Sequence, residues 1–121
     1  MSKKILLVED DEIIAFLHRH FAEKCGFEVI DTVDNGLSAI QETKDSHPDA
    51  VLMDIRINGE LDGIETALKI REFSDTPIIF LTGNSDENTL SRAKEAGSVG
   101  YLVKPVKHEE LCAILSKFTD L

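Results

Sequence analysis

The sequence predicts a three-layer α/β sandwich: a five-stranded parallel sheet with helices on both faces. Three observations predict it. Short apolar runs rich in Ile, Leu and Val alternate five times with longer amphipathic runs, the pattern of repeated strand–helix units. Four of the five apolar runs lack the polar alternation of a strand with one wet face, as expected where both faces are covered. The 121 residues fit one domain and suffice to bury a core without disulfides or a structural metal.

The elements follow in order. Residues 4–8 are the first strand. The helix over 11–25 carries Ile13, Leu17 and Phe21 at i, i+4 and i+8, a stripe expected to face the sheet, and Gly26 stops it. The strand over 27–32 mixes Glu28 and Asp31 among its apolar residues, which marks an edge strand. A helix over 35–45 presents Leu37 and Ile40. Residues 50–54 form the third strand, and a helix over 62–73 offers Ile64, Ala67 and Leu68. The fourth strand spans 77–82. The helix over 84–96 opens with Asn84 and Glu87 at capping-box spacing and ends at Gly97. Its apolar stripe is only Leu90, Ala93 and Ala96, worth about 2–3 kcal/mol for the one large side chain, so this helix is a candidate moving part. The fifth strand spans 99–103, and the last helix, over 109–118, carries Leu111, Ile114, Leu115 and Phe118. With right-handed crossovers and the second strand at an edge, the flavodoxin-like order 2-1-3-4-5 is favoured. No repeat, low-complexity stretch or linker interrupts the chain, so residues 1–121 are read as a single domain without an effector domain.

A net charge of −10 argues against direct nucleic-acid binding and against an anionic membrane surface. Most of the carboxylates are expected to be solvated surface. Cys25 and Cys112 form no CxxC pair and are read as structural thiols in a reducing compartment. The first apolar run is too short for a signal peptide or a membrane span, so a cytoplasmic protein with no membrane insertion is expected.

Chemistry is sought outside the carboxyl ends of the strands, where open parallel sheets bind ligands. Glu9-Asp10-Asp11 follows the first strand, Asp54 ends the third, Thr82 ends the fourth, and Lys104-Pro105 follows the fifth. Carboxylates gathered this way repel unless a cation relieves them. Oxygen ligands without His or thiolate favour Mg²⁺ over Zn²⁺. Glu9, Asp10, Asp54 and Lys104 together with Mg²⁺ make a nearly neutral pocket that can accept a phosphoryl group. Asp11, taken alone, reads as a helix cap.

Ile5-Leu6-Leu7-Val8-Glu9-Asp10-Asp11, Val51-Leu52-Met53-Asp54-Ile55, Asp62-Gly63-Ile64-Glu65, Pro77-Ile78-Ile79-Phe80-Leu81-Thr82-Gly83 and Gly100-Tyr101-Leu102-Val103-Lys104-Pro105 stand in order along the chain. Taken together, they resemble the response-regulator receiver family of two-component signalling over the whole length. The resemblance implies that Asp54 is the phosphoacceptor. It implies that Asp10 holds Mg²⁺ directly and Glu9 through water, and that the backbone carbonyl of Arg56 completes the metal site. Thr82 would bond the phosphoryl group, Lys104 would pair with it, and Lys104–Pro105 would be a cis peptide bond. Tyr101 would be the aromatic switch residue, coupling Asp54 through Thr82 to the face of the fourth helix, fifth strand and fifth helix. The implied donor is a sensor histidine kinase or a histidine phosphotransfer protein, and the implied recipient is a downstream protein or effector domain. The domain would catalyse only its own phosphorylation and dephosphorylation.

Phosphoryl transfer rests on positioning and charge neutralisation, which suits these residue types. The loop over 56–63 is one residue longer than the commonest family form and lacks its proline. Arg56 and Asn84 flank the phosphate position and are candidates for tuning phosphoryl lifetime. Two alternatives stand beside this reading. One is a small Mg²⁺-dependent aspartyl phosphatase, disfavoured because Arg56 occupies the place of a second acid. The other is a receiver-like binding module that does not use phosphate. His18 and His20 point to different helix faces and suit no metal, His47 and His108 are read as surface, and no GxSxG, GxGxxG or GxxxxGK[ST] motif is present.

Overall fold

The computed structural model describes residues 2–83, 87–97 and 100–119. Five strands, β1 Lys4–Val8, β2 Glu28–Val33, β3 Ala50–Asp54, β4 Ile78–Thr82 and β5 Gly100–Val103, alternate with five helices, α1 Glu12–Lys24, α2 Gly36–Ser46, α3 Gly63–Arg71, α4 Glu87–Glu95 and α5 His108–Thr119. All strand pairs are parallel and the sheet order is β2-β1-β3-β4-β5. Strand periodicity divides the core in two. Ile5, Leu7, Leu52, Ile79 and Leu81 face α1 and α5 with Ala15, Ala22, Leu111 and Leu115. Leu6, Val8, Val51, Met53, Ile78 and Phe80 face the other way, with Ala39, Ile64, Ala67, Ile70, Ala93 and Ala96. The charged run 28–33 lies at an edge, where its mixture of exposed and half-buried residues fits. Asn84 and Val99, read as the starts of the fourth helix and fifth strand, lie outside the described residues.

Three helix faces differ from the sequence expectation. In α1 the buried residues are Ala15, His18 and Ala22, whereas Ile13 is 82% exposed and Leu17 44%. The buried stripe is rotated by about one residue, roughly 100°, because alanines let the helix axis come close to a flat sheet, and alanine adds little weight to an apolar pattern. Leu37 of α2 and Leu68 of α3 are likewise exposed, while Gly36, Ala39 and Thr43 of α2, and Ile64, Ala67 and Ile70 of α3, are buried. Phe21, Ile40 and Ile114 pack as partly buried flanks; α4 presents Ala93 to the core, with Ala96 just past its end, while Leu90, the one large residue of its expected stripe, is only half-buried.

The cysteines also depart from expectation. Cys25 at the end of α1 and Cys112 in α5 are joined in a disulfide, with Cα atoms 5.6 Å apart across 87 residues of chain. Both helices cover the same sheet face, and chain spacing carries no trace of that adjacency. His108 is not simply surface: it is half-buried, with its ring centroid 5.5 Å from that of Phe21.

Candidate functional site

Strand register assembles the site. Val8 pairs with Met53, Asp54 with Leu81, and Thr82 with Val103. Glu9 therefore leaves β1 level with Asp54, while Thr82 stands one step beyond on β4 and Lys104 a further step beyond, past the end of β5. Glu9, Asp10 and Asp54 each bring a carboxylate oxygen to within 4.8 Å of the others. Lys104 donates from Nζ to Asp54 Oδ2 at 2.8 Å and to Glu9 Oε1 at 3.0 Å. The other Asp54 oxygen accepts the Arg56 N–H at 3.0 Å, and the other Glu9 oxygen accepts the Asp11 N–H at 3.3 Å. These contacts fix both carboxylates. Asp11 itself caps α1, accepting from Ile13 and Ile14 N–H at 2.9 and 3.1 Å.

The electrostatics are those of crowded anions. Glu9 and Asp54 are buried, and Asp10 is half-buried. The Glu9 pKa is raised to about 7, first by burial, then by its hydrogen bond to Asp54 and the Asp54 charge, with Lys104 only partly opposing. Burial works against the charge of Lys104, but its hydrogen bonds and ion pairs with Asp54 and Glu9 outweigh that and hold its pKa above the usual value. Three carboxylates face one ammonium, so the cluster lacks positive charge. Its donors are all oxygen, which fits a hard divalent cation.

Thr82 ends β4 with its side chain buried, and its carbonyl accepts the Lys104 N–H at 2.7 Å. The Lys104–Pro105 peptide is cis. Tyr101 pairs with Phe80 across β4 and β5 and is 42% exposed. Asn84 lies outside the described residues.

Two residues named in the sequence reading, Gly63 and His18, were not assigned to the site there. Gly63 opens α3 against the end of β3: a Cβ there would fall 2.2 Å from the Asp54 carbonyl oxygen and 2.8 Å from the Ile55 Cα, so only glycine lets α3 start this close to the acidic strand end. Its signal was the Asp62-Gly63 pair ahead of an apolar run. His18 is buried, and its Nδ1 has no hydrogen-bond partner among the described residues. Its pKa is lowered by burial and then by the Lys104 charge, so it is a neutral neighbour of the site. The Ala15–His18–Ala22 spacing was the available signal, masked by the more apolar Ile13–Leu17 stripe.

Residues 5–116 match the family model described as the response regulator receiver domain. The chain is 36% identical over 117 residues to the chemotaxis protein CheY of Halobacterium salinarum, covering 96% of each. It is 33% identical over 120 residues to the probable C4-dicarboxylate response regulator DctR of Halalkalibacterium halodurans, covering 98% of this chain and 52% of that one. It thus spans about half the length of that relative. Among solved structures it is similar to the receiver domain of a Pseudomonas aeruginosa sensor histidine kinase, with TM-score 0.90, 31% identity and 100% of both chains covered. That domain is described with a magnesium ion coordinated in its active site cleft.

Proposed function

The chain belongs to the response regulator receiver domain family, and from that premise we propose that it is a phosphorylation-dependent switch of a phosphorelay, with Asp54 as the phosphoacceptor. One observation carries the reading: Lys104 reaches from the end of β5 to Asp54 at 2.8 Å, within the cluster of Glu9, Asp10 and Asp54. The donor is a phosphohistidine on a kinase or phosphotransfer protein, and the recipient is a downstream protein or effector domain.

The residues that would hold Mg²⁺ are Glu9, Asp10 and Asp54, with the backbone carbonyl of Arg56. The all-oxygen donor set and the raised Glu9 pKa support that fit. Bound there, Mg²⁺ would supply the positive charge that lets a dianionic phosphoryl group approach three carboxylates. The protein's own groups do the rest. Lys104 and the Arg56 N–H hold the two Asp54 oxygens apart and aimed, so that one is presented as the in-line nucleophile. As the Asp54–phosphorus bond forms, the bond to the donor imidazole breaks and the ring nitrogen leaves with the electron pair. Lys104 then pairs with a phosphoryl oxygen, and Thr82 donates its hydroxyl to another.

Movement of Thr82 toward the phosphoryl group leaves room behind it, and Tyr101, two-fifths exposed on the adjacent strand, turns into that room. The α4–β5–α5 face is thereby reshaped. The shallow anchoring of α4, through Ala93 and the Ala96 that follows it, supports this helix as the part that yields.

Incubation with phosphoramidate and Mg²⁺, followed by intact-mass measurement, tests the proposal. The wild-type chain should gain one phosphoryl group, lose it slowly on standing, and gain none with EDTA or in Asp54→Asn. Equal modification of Asp54→Asn, or modification without a divalent cation, would overturn it.

A further inference from the structure

A second cluster of ligating side chains lies away from the strand-end pocket, between α1 and α5. Cys25, His108 and Cys112 bring their sulfurs and one ring nitrogen within 4.8 Å of one another. His108 Nε2 is 3.3 Å from Cys112 Sγ and 3.7 Å from Cys25 Sγ. His108 and Cys112 are i and i+4 on α5 and so project from one face, while Cys25 reaches across from the end of α1. All three are half-buried, so small ions and small reductants can reach them. The tilted Phe21 ring at 5.5 Å backs His108 and restrains its rotation. The two sulfurs are bonded to each other in this structure.

We infer that, once the disulfide is reduced, Cys25, His108 and Cys112 form a binding site for a soft divalent cation, with Zn²⁺ the best fit. Two thiolates and an imidazole are ligands that Zn²⁺ prefers and Mg²⁺ does not. Three protein ligands leave the fourth tetrahedral position to water. The ligands sit on two helices packed against one sheet face, so the backbone holds all three close together before the ion arrives, and after reduction the two sulfurs need only side-chain rotation to move from bonding distance to the separation of two ligands on one ion. The disulfide and the ion exclude one another because they use the same sulfurs. A dithiol or phosphine reductant opens the S–S bond by taking up the oxidising equivalents and delivers two thiols. Each thiol then gives its proton to water as Zn²⁺ binds. This site shares no residue with Glu9, Asp10 or Asp54, so its existence is independent of whether Asp54 is phosphorylated.

The test uses the full chain, reduced with a phosphine, freed of reductant without oxygen, and titrated with Zn²⁺ against a chromophoric chelator. Excess Mg²⁺ is present to occupy the carboxylate pocket. Co²⁺ in place of Zn²⁺ reports thiolate ligation through its charge-transfer absorption. The expected result is one ion per chain with thiolate-to-Co²⁺ absorption. Affinity should fall about 100-fold or more in Cys25→Ser and Cys112→Ser, and measurably in His108→Ala. The diamide-oxidised chain should bind none. The serine replacements are near-isosteric, and their circular dichroism before titration shows whether the fold is kept. Absence of binding to the reduced wild type, or binding of equal strength in the folded Cys25→Ser/Cys112→Ser chain, would overturn the inference.

Discussion

Replacing Lys104 by Met leaves Glu9 and Asp54 buried without their ammonium partner. Their side chains are 1% and 8% exposed, against 21% for Lys104. At an effective dielectric of about 20, each contact near 3 Å is a gross attraction of about 5 kcal/mol, much of which the desolvation of Lys104 offsets. Removing one member of a buried ion pair costs about 3–5 kcal/mol. Lys104 keeps part of its side chain in water, so the lower end, about 3 kcal/mol, is expected at pH 8 without divalent cation. With a urea slope near 2 kcal/mol per M, that moves the unfolding midpoint down by about 1.5 M. At pH 6 the loss should shrink, because Glu9, whose pKa is already raised to about 7 with Lys104 present, takes up a proton and leaves one buried charge fewer. Mg²⁺ should restore much of the loss at pH 8 by supplying the missing positive charge. Urea unfolding followed by circular dichroism, with EDTA or with Mg²⁺, measures each quantity. An unchanged midpoint for Lys104→Met at pH 8 in EDTA would refute the reasoning.

Glu9 predicts a pH dependence of its own. Its folded pKa lies above the ordinary 4.5, at about 7, so its contribution to stability is full below the unfolded value and is lost as pH rises through 7, on the order of 3 kcal/mol. In EDTA, Glu9→Gln should flatten the fall of the urea midpoint between pH 5 and 8; an unchanged slope would contradict this. The same proton competes with the cation, so calorimetry should find Mg²⁺ affinity rising toward about ten-fold per pH unit below pH 7. Gly63→Ala places a methyl against the Asp54 carbonyl and should destabilise by about 1–3 kcal/mol, with weaker Mg²⁺ binding in the same titration. Ile13→Ser, at an 82% exposed position, should change stability by less than about 0.5 kcal/mol, while Ala22→Leu overpacks the α1–sheet contact and should cost about 1–3 kcal/mol; thermal melts separate the two.

The legible part of the fold was the sheet. Runs such as Ile5–Leu6–Leu7–Val8 and Ile78–Ile79–Phe80–Leu81 are fully buried on both faces and leave no other reading, and the charges in the second strand placed it at an edge. Because ligand groups hang from strand ends, knowing the strands located Glu9, Asp10, Asp54, Thr82 and Lys104 on one sheet edge, and the register then set their distances. The helix faces were less legible where the contact is made by small residues: Ala15, Ala22 and Ala39 bury completely or nearly so, while Ile13, Leu37 and Leu68 stand outside. Hydrophobic weight and burial part company there because close helix–sheet approach selects for size. Features that depend on helices meeting one another, such as Cys25 beside Cys112 and His108, leave no imprint in local pattern.

Trapping the modified chain with borohydride tests the central claim most directly. The reagent reduces an acyl phosphate to an alcohol at the carboxylate that carried it, and peptide mass spectrometry then locates that residue. After reaction with phosphoramidate and Mg²⁺, the reduced residue should be found at position 54 alone. Reduction at Glu9, Asp10 or Asp11, or no reduced residue in a chain that has gained phosphate, would contradict the account.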